Sequence, residues 1–365
     1  MIPIAEPLLG EEELANVVKA VKSGWISSKG EFIPRFEQQF ADYCGVKHGI
    51  ATTNGTTALH LALKALDIKE GDEVIVPTLT FIASANAVRY VGATPVFVDS
   101  DPRYWCMDPI QVRKKVTRKT RAIMPVHLYG HPCDMQEIDA VAKEFELKVL
   151  EDAAEAHGAL CRGQKVGSFG DIGCFSFYGN KIITTGEGGM CVTNSDALAT
   201  RMKILRDHGM NPTKRYWHDE IGFNYRMTNL QAAIGVAQMT KLDKFIEMKR
   251  RLAGWYSTEL AKCSNIILPP EMPWARSVYW MYSILIKGAG QEQRDSAIEK
   301  LEKAGIESRP VFFPLNTMPP YKSKKRFRVA EKIGYSGVSL PSAVTLTREQ
   351  VMYIANNLLS IVKEK

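Results

Sequence analysis

Lys181 is the residue of this 365-residue chain around which covalent chemistry can be built. It follows an aromatic stretch, Phe175-Ser176-Phe177-Tyr178-Gly179-Asn180, and precedes a run rich in threonine and glycine, Ile182 to Gly189. A lysine amine can condense with an aldehyde carbon. Upstream, Val149-Leu150-Glu151-Asp152 ends an apolar strand on an acidic pair, where a ligand-facing carboxylate would sit. An aspartate there can keep a ring nitrogen protonated. The two together are the minimum kit for pyridoxal 5'-phosphate (PLP) chemistry. Taken singly, neither is informative: most lysines are solvated, and most strand-end aspartates are caps. The signal is the pair, in this order and wording.

The elements that must position the pair follow a β/α rhythm. Residues 49–53, 73–76, 95–98, 122–126 and 148–150 read as short strands of continuous Val, Ile and Ala. Helical spacing appears over 58–66, 82–90 and 135–145. Continuous apolar strands alternating with helices predict a mostly parallel sheet covered on both faces. Two further helices, 11–22 and 36–44, precede the first strand. After Lys181, residues 190–193 read as a strand and 196–205 as a helix. Residues 228–260 form a long helical stretch with a bend, bridging to a second region. That region has strands near 266–268 and 280–286, helices over 292–304 and 348–362, and many prolines. The expected organisation is a large domain over 1–245, including a helical segment at 1–30, and a smaller α+β domain over 246–365.

Composition bounds the class. Hydrophobic residues are 45% and charged residues 24%, an ordinary balance for a soluble globular protein. No apolar run has the length a membrane helix needs, and the opening residues lack a secretion-signal pattern. Seven cysteines without a Cys-x-x-Cys pair read as reduced thiols of a cytoplasmic protein, with no metal site. The net charge of +7 suits an acidic partner. Its densest cluster, Lys322 to Arg328, belongs to no nucleic-acid recognition motif, so a phosphate-bearing small molecule is the expected partner, with no nucleic acid and no membrane. Asn54-Gly55-Thr56-Thr57 does not supply the Gly-x-Gly-x-x-Gly of a nicotinamide enzyme. Gly55 and Thr56, between a strand and a helix, suit a phosphate through their backbone N–H groups, although such a turn is also common without one.

The chain resembles the DegT/DnrJ/StrS family of sugar aminotransferases. The likeness spans nearly its whole length. It is carried by Trp25 to Gly30, Asn54 to Leu63, Pro77 to Ser84, His127 to Pro132, the two stretches around Asp152 and Lys181, Gly222 to Asn229 and Ser308 to Pro314. The Gly179-Asn180-Lys181 wording and Thr317-Met318-Pro319-Pro320-Tyr321 narrow it to a branch handling GDP-linked sugars. The resemblance implies an aspartate-aminotransferase-like (type I) α/β fold with a seven-stranded, mostly parallel central sheet. It implies PLP as cofactor and a homodimer with shared active sites. It also implies amination of a nucleotide-linked 4-keto-6-deoxy sugar, best GDP-4-keto-6-deoxy-D-mannose, with L-glutamate as donor. The same reaction on a dTDP- or UDP-linked sugar is the alternative, and a PLP-binding regulatory protein is the rival from another class.

Residue roles follow from the same likeness. Lys181 would hold the cofactor and then act as acid and base. A branch that removes hydroxyls has histidine there, so lysine favours amino transfer. Asp152 would hold the ring nitrogen. Phe81 would stack on the ring, or else be a core phenylalanine. Glu155 would lie near the 3-hydroxyl, or else be a surface charge. Gly55, Thr56, Ser176 and Asn224 would cup the phosphate, the asparagine coming from the neighbouring subunit. Also on the substrate side, the likeness puts the loop of Trp25 near the sugar. Guanidinium chemistry, not the likeness, suggests Arg309 and Arg226 for a diphosphate, or else simply solvated arginines. His157 is a candidate for the same pocket, with a structural role as the competing expectation.

Overall fold

A computed structural model describes residues 1–363. In chain order come β1 (His48–Thr52), β2 (Glu73–Pro77), β3 (Thr94–Val98), β4 (Thr120–Ile123) and β5 (Lys148–Asp152). A small hairpin, β6 (Leu160–Cys161) and β7 (Gln164–Lys165), precedes β8 (Ile172–Ser176) and β9 (Gly189–Thr193). All but the hairpin join one seven-stranded sheet in the order β1-β9-β8-β5-β4-β2-β3. β9 runs antiparallel to both neighbours, and the remaining pairings are parallel.

Alternate residues of each strand enter different cores, as the two-residue period of a strand requires. Ile50, Val74, Val76, Leu150, Ile172 and Cys191 pack with Leu59, Leu61 and Leu63. Ala51, Ile75, Val149, Phe175, Met190 and Val192 pack with Phe36 and Phe40. Both faces are therefore covered, which is why the strands read as unbroken apolar runs. The covering helices are α1 (Glu11–Lys22), α2 (Phe32–Cys44), α3 (Gly55–Ala65), α4 (Ala83–Tyr90), α5 (Pro109–Arg113), α6 (Met135–Glu144) and α7 (Asp196–Arg206). α2 begins four residues before its expected start. Pro34 lies in its first turn, where a missing N–H costs nothing. α3 begins three residues early, because Asn54 caps it by accepting the Thr57 N–H at 2.9 Å.

The long helical stretch is two helices, α8 (Asn229–Met239) and α9 (Leu242–Leu260), with the expected bend at Thr240-Lys241. The remaining elements are β10 (Ile266–Ile267), β11 (Ala275–Arg276), β12 (Tyr282–Ile286), α10 (Gln291–Lys303), β13 (Arg309–Pro310), α11 (Arg328–Ser336), β14 (Gly337–Leu340) and α12 (Arg348–Lys363). β11 extends the β6–β7 hairpin. The others form an antiparallel sheet in the order β10-β12-β14-β13. The expected division at 245/246 falls inside α9. Leu242, Phe245 and Ile246 pack in a core of the large sheet, whereas Leu252, Tyr256 and Leu260 pack with the small one. The first residues also lie with the later region: Ile2 donates its N–H to the Gly305 carbonyl at 2.7 Å. No helix of the described residues is long and apolar enough to cross a membrane.

Candidate active site

Where β1, β4, β5 and β8 end, the chain leaves a cavity of about 530 Å3. This is the carboxyl edge of the parallel strands, where ligands of open α/β sheets bind. Gly55 and Thr56 follow β1, Phe81 follows β2, and Asp152 and Ser176 are the last residues of β5 and β8. Lys181, Glu155, Tyr129, Trp280, Arg309 and Phe312 complete the wall. The small sheet thus supplies one side of the cavity and the large sheet the other.

Asp152 is buried, and its carboxylate is held at both oxygens. Ser84 Oγ donates to Oδ2 at 2.7 Å, and the Ala154 N–H donates to Oδ1 at 3.2 Å. Burial pushes its pKa up, and the Ser84 and Ala154 bonds oppose that rise. Lys181 is half-buried, and desolvation lowers its pKa against the pull of Glu155 and Asp152. Its Nζ stands 4.0 Å from Glu155 and 3.8 Å from the centre of the Trp280 ring. Glu155 is pushed up to about 7 by burial, while Lys181 and the Tyr129 N–H pull it down. That N–H donates to Glu155 Oε2 at 2.7 Å. Tyr129 has φ of 53°, an uncommon value for a bulky residue, and its hydroxyl accepts the Phe312 N–H at 2.7 Å.

The first turn of α3 forms the opposite end. Asn54 occupies the Thr57 N–H, and the Gly55 and Thr56 N–H groups have no acceptor within the helix. A Cβ on Gly55 would lie 2.8 Å from the Ser176 Cβ, so only glycine lets the helix start approach Ser176 this closely. The result is a small cradle of N–H and O–H donors at a helix N-terminus, suited to a phosphate.

A family model for the DegT/DnrJ/EryC1/StrS aminotransferases matches residues 7–359. The chain belongs to this family. Among curated relatives, the GDP-perosamine synthase of Caulobacter vibrioides is 52% identical over 96% of this chain and 95% of its own. The GDP-perosamine synthase of Escherichia coli O157:H7 is 48% identical over 100% of this chain and 99% of its own. Among solved structures, a sugar aminotransferase of Streptococcus pneumoniae in its PLP form has a TM-score of 0.94 at 28% identity, covering 100% of this chain and 99% of that one. This DegT/DnrJ/EryC1/StrS member is a PLP-dependent sugar aminotransferase of aspartate-aminotransferase-like fold. Its cavity fits the cofactor: a buried carboxylate faces it from one strand end, a half-buried amine from the loop after another, and a donor cradle from a helix start.

The cavity brings together Lys181, Asp152, Glu155, Ser176, Gly55, Thr56, Phe81 and Arg309. Arg309 is exposed at the rim and paired with Glu307 at 2.7 Å. Four expected residues lie elsewhere. Trp25 is exposed on the loop after α1, and its carbonyl accepts from the Asn229 side chain. Asn224 is exposed and accepts from Arg226, which pairs with Asp207 at 2.7 Å. His157 is fully buried among the Phe40, Phe175 and Phe177 rings, and neither ring nitrogen has a hydrogen-bond partner. Burial, then the nearby Lys181 charge, lowers its pKa to about 3. The aromatic cage puts it in the core, off the cavity wall. Ser84, Tyr129, Trp280 and Phe312 escaped sequence reading as site residues. Their roles arise from contacts between distant segments that no local pattern encodes; Ser84 and Tyr129 nevertheless lie inside stretches that carried the family likeness.

Proposed function

We propose that this protein aminates C4 of GDP-4-keto-6-deoxy-D-mannose with L-glutamate, yielding GDP-perosamine for O-antigen polysaccharide. The observation that carries the reading is Lys181 Nζ entering a cavity that also presents the buried Asp152 carboxylate and the Gly55–Thr56–Ser176 cradle. The choice of substrate rests on the perosamine synthases that match over almost their full length.

PLP, when bound, supplies an electron sink that stabilises a carbanion next to the transferred nitrogen. The chain's own groups do the rest. Gly55, Thr56 and Ser176 bind the phosphate. Asp152, whose ionised form the Ser84 and Ala154 bonds favour against burial, holds the ring nitrogen protonated. Phe81 covers the ring face, and its own ring stands 5.8 Å from that of Phe312. Glu155 orients the 3-hydroxyl side. Lys181 Nζ holds the cofactor at rest and afterwards carries the proton between two carbons on one face, so a single amine serves both halves of the exchange. Arg309 releases Glu307 to grip an anionic group of the substrate, a guanidinium being suited to bidentate contact with phosphate or carboxylate.

The enzyme works as a homodimer with shared sites, in which Asn224 and Arg226 serve the partner's cavity. The reading is supported by the exposed Asn224 and half-buried Arg226 being absent from the wall of this chain's own cavity. All seven cysteines are free and buried, which accords with a cytoplasmic enzyme. The test is a panel of GDP-, dTDP- and UDP-linked keto sugars with glutamate, products read by mass spectrometry and NMR. Amination of the GDP sugar at C4 is expected. Preference for another nucleotide, or nitrogen on C3, would overturn the substrate assignment and leave the aminotransferase standing.

A further inference from the structure

Lys249 is a buried lysine outside the cavity, at 3% exposure, and among the described residues it has no carboxylate partner. Its ammonium donates instead to two carbonyl oxygens, those of Trp280, at 2.9 Å, and of Ser342. Burial lowers its pKa to about 7. Burying an ammonium against carbonyls alone is costly, and an aliphatic side chain would fill the same space without that cost. What Lys249 achieves is a fixed backbone at Trp280, at the junction of α9, the approach to β12 and the turn after β14.

Trp280 in turn holds the reactive lysine at two points. Its indole N–H donates to the Asn180 carbonyl at 2.8 Å, fixing the residue before Lys181. Its ring lies under Lys181 Nζ at 3.8 Å. The ring is stacked on Tyr129, with centres 6.0 Å apart and planes at 14°, and Tyr129 is stacked on Phe312 at 5.1 Å. The indole is therefore braced from the large sheet as well.

Resting on the aminotransferase reading above, we propose that Trp280 is a catalytic residue, its indole face receiving the Lys181 amine whenever that amine is free, and that Lys249 is its positioning residue. An aromatic face attracts an ammonium but offers it no acceptor oxygen. It keeps the released amine close without locking it as an ion pair with Glu155, so the proton on Nζ can leave again. The other ionisable groups around Nζ are Glu155, Asp152 and His157 from the β5 end, Glu187 and Arg309 on the cavity wall, and Glu6 from the N-terminal segment. Lys249 itself lines a small pocket with Lys181. Trp280→Leu therefore leaves this charge set unchanged, whereas Lys249→Met removes one cation, which on charge alone would raise the Lys181 pKa. A downward shift in Lys249→Met therefore reads lost positioning of the indole.

The experiment compares Trp280→Leu, Trp280→Phe and Lys249→Met with the parent. Each protein is stripped of PLP, and acylation of Lys181 is followed by peptide mass spectrometry across pH. Trp280→Leu should lower the amine's apparent pKa by about one unit, because the charged form loses its aromatic partner. Trp280→Phe should recover most of that shift, and Lys249→Met should shift the same way by less. With PLP restored, kcat of Trp280→Leu should fall about tenfold, with KM for the keto sugar little changed. An unaltered Lys181 titration in Trp280→Leu would overturn the proposal. If that variant does not fold, Lys249→Met decides: no shift there overturns it. Borohydride reduction of the parent with PLP judges the underlying reading separately. A pyridoxyl group absent from Lys181 would sink that reading, whereas the titration of cofactor-free protein judges the indole alone.

Discussion

Ser84 Oγ donates to Asp152 Oδ2 at 2.7 Å, joining the first turn of α4 to the end of β5 beneath the cavity. Thr80, one residue before Phe81, lies 2.9 Å from the same hydroxyl, so the serine is fixed from both sides. The bond favours the ionised carboxylate, against a burial that disfavours it. Ser84→Ala should therefore raise the Asp152 pKa further and weaken PLP by about tenfold, in line with about 1.5 kcal/mol for a bond to a charged group. Spectrophotometric titration of the cofactor-free variant with PLP reads this directly. Unchanged affinity would mean that Ser84 contributes nothing to the ring-nitrogen site.

Removing the amine itself separates binding from turnover. Lys181→Ala should keep its fold, because one lysine at a cavity wall contributes little to the core. Turnover should fall by at least about 10²–10⁴-fold, the usual worth of a positioned acid–base group. Circular dichroism and steady-state assays check the two halves. Near-parental turnover would remove Lys181 from its role.

The position of Asn224 makes a prediction about assembly. Its side chain is exposed and held by Arg226, away from the cavity lined by Gly55 and Ser176 of the same chain. If a second copy uses it, Lys181→Ala and Asn224→Ala should each be inactive alone. Mixed dimers should regain up to about a quarter of the parental activity per dimer mixture, since one intact site forms only in heterodimers. Verified heterodimers without activity would place Asn224 outside the site.

Which parts of this were legible in the sequence has a physical basis. Inner strands buried on both faces read as short apolar runs, and β1 to β5 were found within a few residues, the half-buried edge strand β3 included. β4 is shorter than read, since Pro125 has no N–H for the ladder, and Val126 only bridges to Asp152. α11 and β14 were missed behind the prolines of 310–320. Gly334 in α11 is there because a Cβ would meet the Pro314 ring at 2.5 Å, a constraint set by packing and invisible to propensity. That Lys181 and Asp152 meet at one cavity was legible because the expected chemistry asks for those two residue types and the strand ends fix their place. Trp280 and Lys249 were not, because each acts through a residue tens of positions away. For His157 the sequence left two readings, a pocket residue or a structural histidine, and three phenylalanine rings surround it in the fold.

His157 also gives the protein an acid limit. Its pKa is about 3 in the folded chain, from burial first and the Lys181 charge second, against about 6.5 when unfolded. Between those values the unfolded chain binds a proton that the folded chain refuses. Stability therefore falls as pH drops below about 6.5, by about 1.4 kcal/mol per pH unit from this group, and is untouched by it above that pH. His60, lowered by burial to about 4, acts in the same direction, so part of the slope will remain without His157. His157→Leu is close in volume and suits the cage of Phe40, Phe175 and Phe177. Urea unfolding at pH 6.5 and 4.5 should show the variant losing about 2–3 kcal/mol less than the parent over that interval. Its kcat/KM near pH 8 should stay within about threefold of the parent, as expected for a core residue off the cavity wall. An equal acid slope would mean that the imidazole is protonated or solvated in the folded state. A large loss of kcat/KM with normal stability would return His157 to the substrate side of the site.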